Sequence, residues 1–166
     1  MALGPTLAAC TGHSTGAPAS PSTVAVAPVA TTRPGIEGEV IERSLLNAFD
    51  CFNRYSYLKD FRRVEVTTKR PCDQSHDAEI FLKENVADSV PAFDTDKLTA
   101  IAHTRCYEQF EVFVGKPFET STYRMEFDLP TPEEWNRSAA GRVVTCFLTG
   151  ATNLTKLVGS AKQSRR

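Results

Sequence analysis

The most chemically suggestive segment of the chain is Cys72-Asp73-Gln74-Ser75-His76-Asp77-Ala78-Glu79. Its Cys-x-x-x-His-x-x-Glu spacing gathers a sulfur, an imidazole nitrogen and a carboxylate, the donor types that bind zinc and related ions. A thiol beside His76, or beside His103, is also the starting point of a cysteine nucleophile. Both chemistries need a free thiolate. Cysteine usage argues against one. Apart from Cys10 the chain has Cys51, Cys72, Cys106 and Cys146, an even set in a small region with no Cys-x-x-Cys spacing, which reads as two structural disulfides in an oxidising compartment. Sequence does not choose the connectivity. The preferred pairing is Cys51 with Cys72, both at the edges of strand-like segments, and Cys106 with Cys146.

Ala78, Ile80 and Leu82 mark the start of a strand, in which odd spacing sends His76 and Glu79 to opposite faces. His76 is therefore expected to order a turn by hydrogen bonding, and Glu79 to be a solvated or paired strand residue. Together they remain the candidate functional turn. No Gly-x-Ser-x-Gly elbow, phosphate loop or His-Glu-x-x-His pattern is present, so no catalytic residue, metal or cofactor is expected. Trp135, Tyr123 and Phe127 could form an aromatic ligand surface, but their spacing suits core positions better.

The elements that must position these residues follow from periodicity. Leu45 to Phe52 is short and apolar, and Asn53 to Lys59 reads as a turn. Val64, Val66 and Thr68 alternate with polar residues, predicting a half-buried strand that ends before Pro71. A second strand covers Ala78 to Leu82. Asp94-Thr95-Asp96 caps a helix carrying Leu98, Ile101, Ala102, Cys106, Phe110 and Phe113 on one face and stopping near Gly115. Tyr123 to Leu129 alternates as an amphipathic strand. Thr131, Pro132 and Glu134 form a capping box ahead of Trp135. Arg142 to Leu148 is a strand, and Gly150 to Ser160 a loop with an apolar segment at Leu154 to Val158. The fold class is α+β: a small, mostly antiparallel sheet with one main helix.

The first third of the 166 residues is different. Thr11 to Gly38 is Ala, Pro, Ser, Thr, Gly and Val almost throughout, with no aromatic residue and no acid before Glu37. Such a stretch cannot bury enough apolar surface to offset the entropy of ordering it. The expected organisation is a truncated signal- and lipobox-like segment at 1–10, a disordered tether at 11–38, a domain at 39–160 and a frayed tail at 161–166.

Leu7-Ala8-Ala9-Cys10 has the pattern of a bacterial lipobox, which makes Cys10 the candidate lipidation site. A signal peptide also needs a basic n-region, and no Lys or Arg precedes Arg33. Either the recorded start lies downstream of the true one or the short match is accidental. The tether and the cysteines favour the first. No stretch approaches the roughly 18 apolar residues of a membrane span. Net charge is −1 with basic and acidic residues interspersed, so no nucleic-acid partner is expected.

The order of the pieces resembles the septum formation family of actinobacterial envelope proteins and lipoproteins. The resemblance rests on Phe49-Asp50-Cys51-Phe52, the segment Pro71 to Phe81 containing Cys72, His76 and Glu79, then Cys106, Pro130-Thr131-Pro132-Glu133-Glu134-Trp135, Arg142 to Cys146, and Gly159-Ser160. It implies a secreted or lipid-anchored extracytoplasmic protein with a role in septum formation or cell division. Its partners would be envelope or division proteins, and the membrane itself if Cys10 is lipidated. The expected function is a non-catalytic binding or scaffolding module; the alternative is an extracytoplasmic metal-binding protein or enzyme centred on His76.

Overall fold

Alternating Val64, Val66 and Thr68 lie in β3 (Arg62–Arg70), which pairs antiparallel with β2 (Cys51–Lys59) along its whole length, from Cys51↔Arg70 to Lys59↔Arg62. The computed structural model describes Met1, residues 35–152 and residues 154–166. Cys10, the lipobox-like segment and most of the tether lie outside the described residues. β1 (Glu39–Val40), β4 (Ala78–Asn85), β5 (Arg124–Asp128) and β6 (Val143–Thr149) complete a six-stranded sheet in the order β1-β3-β2-β4-β6-β5, in which every pairing is antiparallel. With its one main helix the fold is α+β, as the sequence predicts.

The helix α1 (Thr95–Val114) starts where Asp94 Oδ1 accepts the Lys97 amide at 3.1 Å. It ends at Gly115, whose φ of 77° is the left-handed conformation that glycine adopts without a Cβ clash. Leu98, Ala102, Cys106, Phe110 and Phe113 recur at helical spacing and are buried against β4, β5 and β6. Each fully buried side chain of the Leu or Phe class contributes roughly 1.5–3 kcal/mol of transfer free energy. Phe81, Val144, Cys146, Leu148 and Trp135 complete this core, while Leu46, Phe52, Ala78, Ile80 and Phe147 form a second cluster. The alternation of Cys146, Phe147 and Leu148 between the two clusters shows that β6 is apolar on both faces. The short helix α2 (Pro132–Arg137) carries the expected capping box, with the Glu134 amide donating to Thr131 Oγ1 and the Thr131 amide to Glu134 Oε2.

Three expectations are corrected. Asn53 to Lys59 is not a turn but most of β2, because β3 supplies the backbone partners and polar side chains face water or one another; the turn is Asp60-Phe61. The end of the expected tether is ordered. Thr68 Oγ1 donates to the Glu37 carbonyl at 2.5 Å and Arg70 pairs with Glu37 at 2.9 Å, while Gly38 lets the chain pass where a Cβ would stand 2.6 Å from the Lys69 carbonyl oxygen. The tail does not fray: Gln163 and Arg165 amides donate to the carbonyls of Phe113 and Val114 at 2.7 and 2.9 Å, satisfying carbonyls that the end of α1 leaves open.

Candidate functional site

Cys51 opens β2 directly opposite Glu79 of β4, and Cys72 follows the end of β3. The four domain cysteines pair as preferred from sequence, Cys51 with Cys72 and Cys106 with Cys146. The first bridge straps the 71–77 turn onto the start of β2. The second joins the buried face of α1 to β6 beneath it. Two disulfides in a small domain are consistent with an extracytoplasmic, oxidising location.

Within the strapped turn His76 is fully buried, at 0% exposure. Its backbone makes both hydrogen bonds of an isolated bridge to Leu157, at 3.0 and 2.8 Å. Its Nδ1 donates to the Gln74 carbonyl at 2.8 Å, since a carbonyl oxygen only accepts. Its Nε2 is buried without a hydrogen-bond partner among the described residues.

Glu79 is buried as well, at 1% exposure. Its two oxygens accept from Ser160 Oγ and from the Ala161 amide, each at 2.6 Å. Of the two alternatives expected for Glu79, solvated or paired, the structure shows the paired one, while the expectation of opposite faces for His76 and Glu79 is overturned. The backbone bends at Asp77, before the strand begins, so strict alternation does not reach back to His76. Ligand atoms of Cys51, His76 and Glu79 consequently lie within 4.8 Å of one another.

The chemistry of that cluster is set by what its members already do. The Cys51 sulfur is bonded to Cys72 and carries no thiolate to offer a metal or a substrate. Both Glu79 oxygens are engaged. The arrangement is a buried latch: the Gly159 amide donates to the Cys72 carbonyl at 2.7 Å, Leu157 bridges His76, and Ser160-Ala161 close on Glu79. Sequence reasoning missed Ser160 and Ala161 as the partners of Glu79. The Gly159-Ser160 pair was the only available signal, and its role depends on contacts across some 80 residues.

The remaining candidates separate. His103 is exposed on α1, and the cysteine of that helix, Cys106, is bonded to Cys146 and offers no free thiol. Trp135 is 2% exposed, packed edge-on against Phe93 with the Arg142 guanidinium 4.8 Å from its ring centre; Tyr123 is buried and Phe127 half-buried. These aromatics are core residues. A cleft of about 300 Å³ is lined by Arg43, Lys83, Asp128 and Glu134. Its charges are engaged: Arg43 pairs with Asp128 at 2.8 Å, Lys83 donates to the Ser44 and Leu46 carbonyls, and Glu134 caps α2. Burial lowers the Lys83 ammonium against the pull of Asp50 and Glu134.

No helix among the described residues is long and apolar enough to cross a membrane. No curated protein and no solved structure matches the chain. A family model described as septum formation matches residues 50–166, which include both disulfides, the latch and the ordered tail. The chain therefore belongs to the septum formation family.

Proposed function

We propose that this domain is a non-catalytic binding or scaffolding module of the cell envelope that takes part in septum formation through contacts with envelope or division proteins. In this reading Cys10 is lipidated and residues 11–34 tether the domain to the outer face of the membrane. The observation that carries the proposal is the latch. The residues best suited to chemistry, Cys51, Cys72, His76 and Glu79, are committed to a disulfide, a backbone bridge and two hydrogen bonds that hold the C-terminal segment in place.

The metal-centred alternative makes a different demand on the same residues. Protein exported under oxidising conditions, purified, and analysed for metal together with its His76→Ala variant separates the two. Substoichiometric metal in the wild type and a lowered Tm in the variant support the module. Stoichiometric metal that disappears with His76 overturns it. The septal part is tested by deleting the gene and scoring septum placement. Normal septa in the deletion strain overturn that part, and rescue of a defect by the wild-type chain supports it.

A further inference from the structure

The β2–β3 hairpin reaches beyond the sheet that anchors it. β2 pairs with β4 only through Cys51↔Glu79 and Phe52↔Ala78, and β1 covers β3 only at Thr68 and Lys69. The ladder between β2 and β3 nevertheless continues to Lys59↔Arg62. Its distal end is a two-stranded arm, and every residue from Leu58 to Arg63 is exposed.

Three features of the tip work against stability. Asp60 and Phe61 have φ of 50° and 61°, the pair of positive values that a two-residue hairpin turn requires and that Gly and Asn satisfy best. Phe61 is poorly suited to that conformation, and it is 104% exposed, with Leu58 beside it at 77%. Lys59 and Arg62 are directly opposite each other across the strands, a like-charge pair that repels. Arg63 adds a third cation. None of the three is in an ion pair among the described residues. Strain and repulsion concentrated at one exposed point are the mark of a site kept for an external contact.

We infer that the hairpin tip is a membrane-docking finger that inserts Phe61 and Leu58 at the interface of an anionic phospholipid bilayer while Lys59, Arg62 and Arg63 meet the phosphates. The order along the finger is Asp60 and Phe61 at the turn, then the Lys59–Arg62 pair, then Leu58 opposite Arg63, so that two apolar side chains reach the interface while three cations outnumber the one acid at the phosphates. A convex tip exposed on all sides suits a deformable lipid surface, and phosphate groups relieve the Lys59–Arg62 repulsion. The inference deepens the envelope reading above and rests on it for the domain's location.

The test is vesicle flotation with the full-length chain carrying Cys10→Ser, so that no lipid anchor contributes. Vesicles of equimolar phosphatidylglycerol and phosphatidylcholine are compared with pure phosphatidylcholine. Binding to the anionic vesicles alone, weakened by salt, is expected. Replacing Lys59, Arg62 and Arg63 together by Gln is expected to weaken it on the order of a hundredfold. Phe61→Gly is expected to lose about tenfold in binding while Tm holds or rises, because glycine relieves the turn. Wild-type protein that fails to float with the anionic vesicles, or binding that both variants leave intact, overturns the inference. Such a failure leaves septum placement and metal content, the tests of the scaffolding reading, unaffected.

Discussion

Ser160 Oγ donates a 2.6 Å hydrogen bond to Glu79 Oε1 across 81 residues of chain, and the next amide, that of Ala161, donates to the other oxygen of the same carboxylate at 2.6 Å. A carboxylate at 1% exposure is tolerated because its two oxygens each have a donor. This one side chain therefore holds the C-terminal segment to the sheet. Glu79→Ala leaves a buried amide and a hydroxyl unpaired and is expected to cost about 3 kcal/mol; Ser160→Ala, which leaves one oxygen short of a donor, about 1.5 kcal/mol. Urea unfolding gives both values. Hydrogen exchange at Ala161 and Gln163 should accelerate in Glu79→Ala before the core amides of α1 change. Stability within about 0.5 kcal/mol of wild type in Glu79→Ala would show that the latch is not needed.

The two disulfides should differ in weight. Cys51–Cys72 closes a separation of 21 residues and Cys106–Cys146 one of 40, so chain entropy alone favours the second, at about 4 kcal/mol against about 3 kcal/mol. Burial points the same way. Cys106 and Cys146 are both fully buried between α1 and β6, whereas Cys72 is only half-buried. The double variant Cys106→Ala/Cys146→Ala is expected to have the lower Tm of the two double-alanine proteins. The reverse order would mean that the strap over the His76 turn, rather than the helix-to-sheet bridge, dominates. Peptide mapping without reduction checks the pairing itself, and four free thiols in exported protein would remove the extracytoplasmic argument as well.

Local signals were legible in this sequence and long-range ones were not. The cap at Asp94, the stop at Gly115, the capping box at Thr131 and Glu134 and the alternation in β5 are written in residues a few positions apart, and all appear in the structure. Most of β2, from Asn53 to Lys59, was illegible because its strand character comes from β3, with Asn53, Arg54 and Ser56 having low intrinsic preference for a strand. The Asp60-Phe61 turn lacks the Gly or Asn that announces such a turn. The tail looked free because its partners, Glu79 and the end of α1, are far away in sequence. The candidate site suffered from the opposite fault: alternation was extended too far, past the bend at Asp77, and so assigned to opposite faces two side chains whose polar atoms lie within 4.8 Å of each other.

Trp135 offers an optical report on the local reading that held. It is the only tryptophan, buried on α2 between Phe93 and Arg142. Thr131→Ala removes one half of the capping box and is expected to destabilise by about 1 kcal/mol. A six-residue helix has little propagation to compensate. The emission of Trp135 in Thr131→Ala should therefore shift to the red at temperatures below the global transition. Emission that stays at the wild-type wavelength up to that transition would show that the packing of Trp135 holds α2 without its cap.

Two neighbouring acids on β5 should respond to pH with opposite sign. At Glu126 burial acts to raise the carboxyl, but the Arg54 hydrogen bond and charge, with the Thr149 hydroxyl, outweigh it and hold the group below its ordinary 4.5. A folded value below the unfolded one means that ionised Glu126 stabilises above about pH 4.5 and that this contribution is lost as pH falls through the depressed value. Glu126→Gln is thus expected to be less stable than wild type by about 1 kcal/mol near neutrality, with the gap closing in acid. At Asp128 burial pushes the carboxyl above its ordinary 3.8 despite Arg43. The sign reverses: its contribution is fully present below 3.8 and is lost as pH rises through the raised value. The stability of Asp128→Asn relative to wild type should therefore improve from acid to neutral pH, while that of Glu126→Gln worsens. Tm measured across this range for the two variants gives two lines of opposite slope, and parallel lines would show that Arg54 and Arg43 do not divide the two carboxylates in this way.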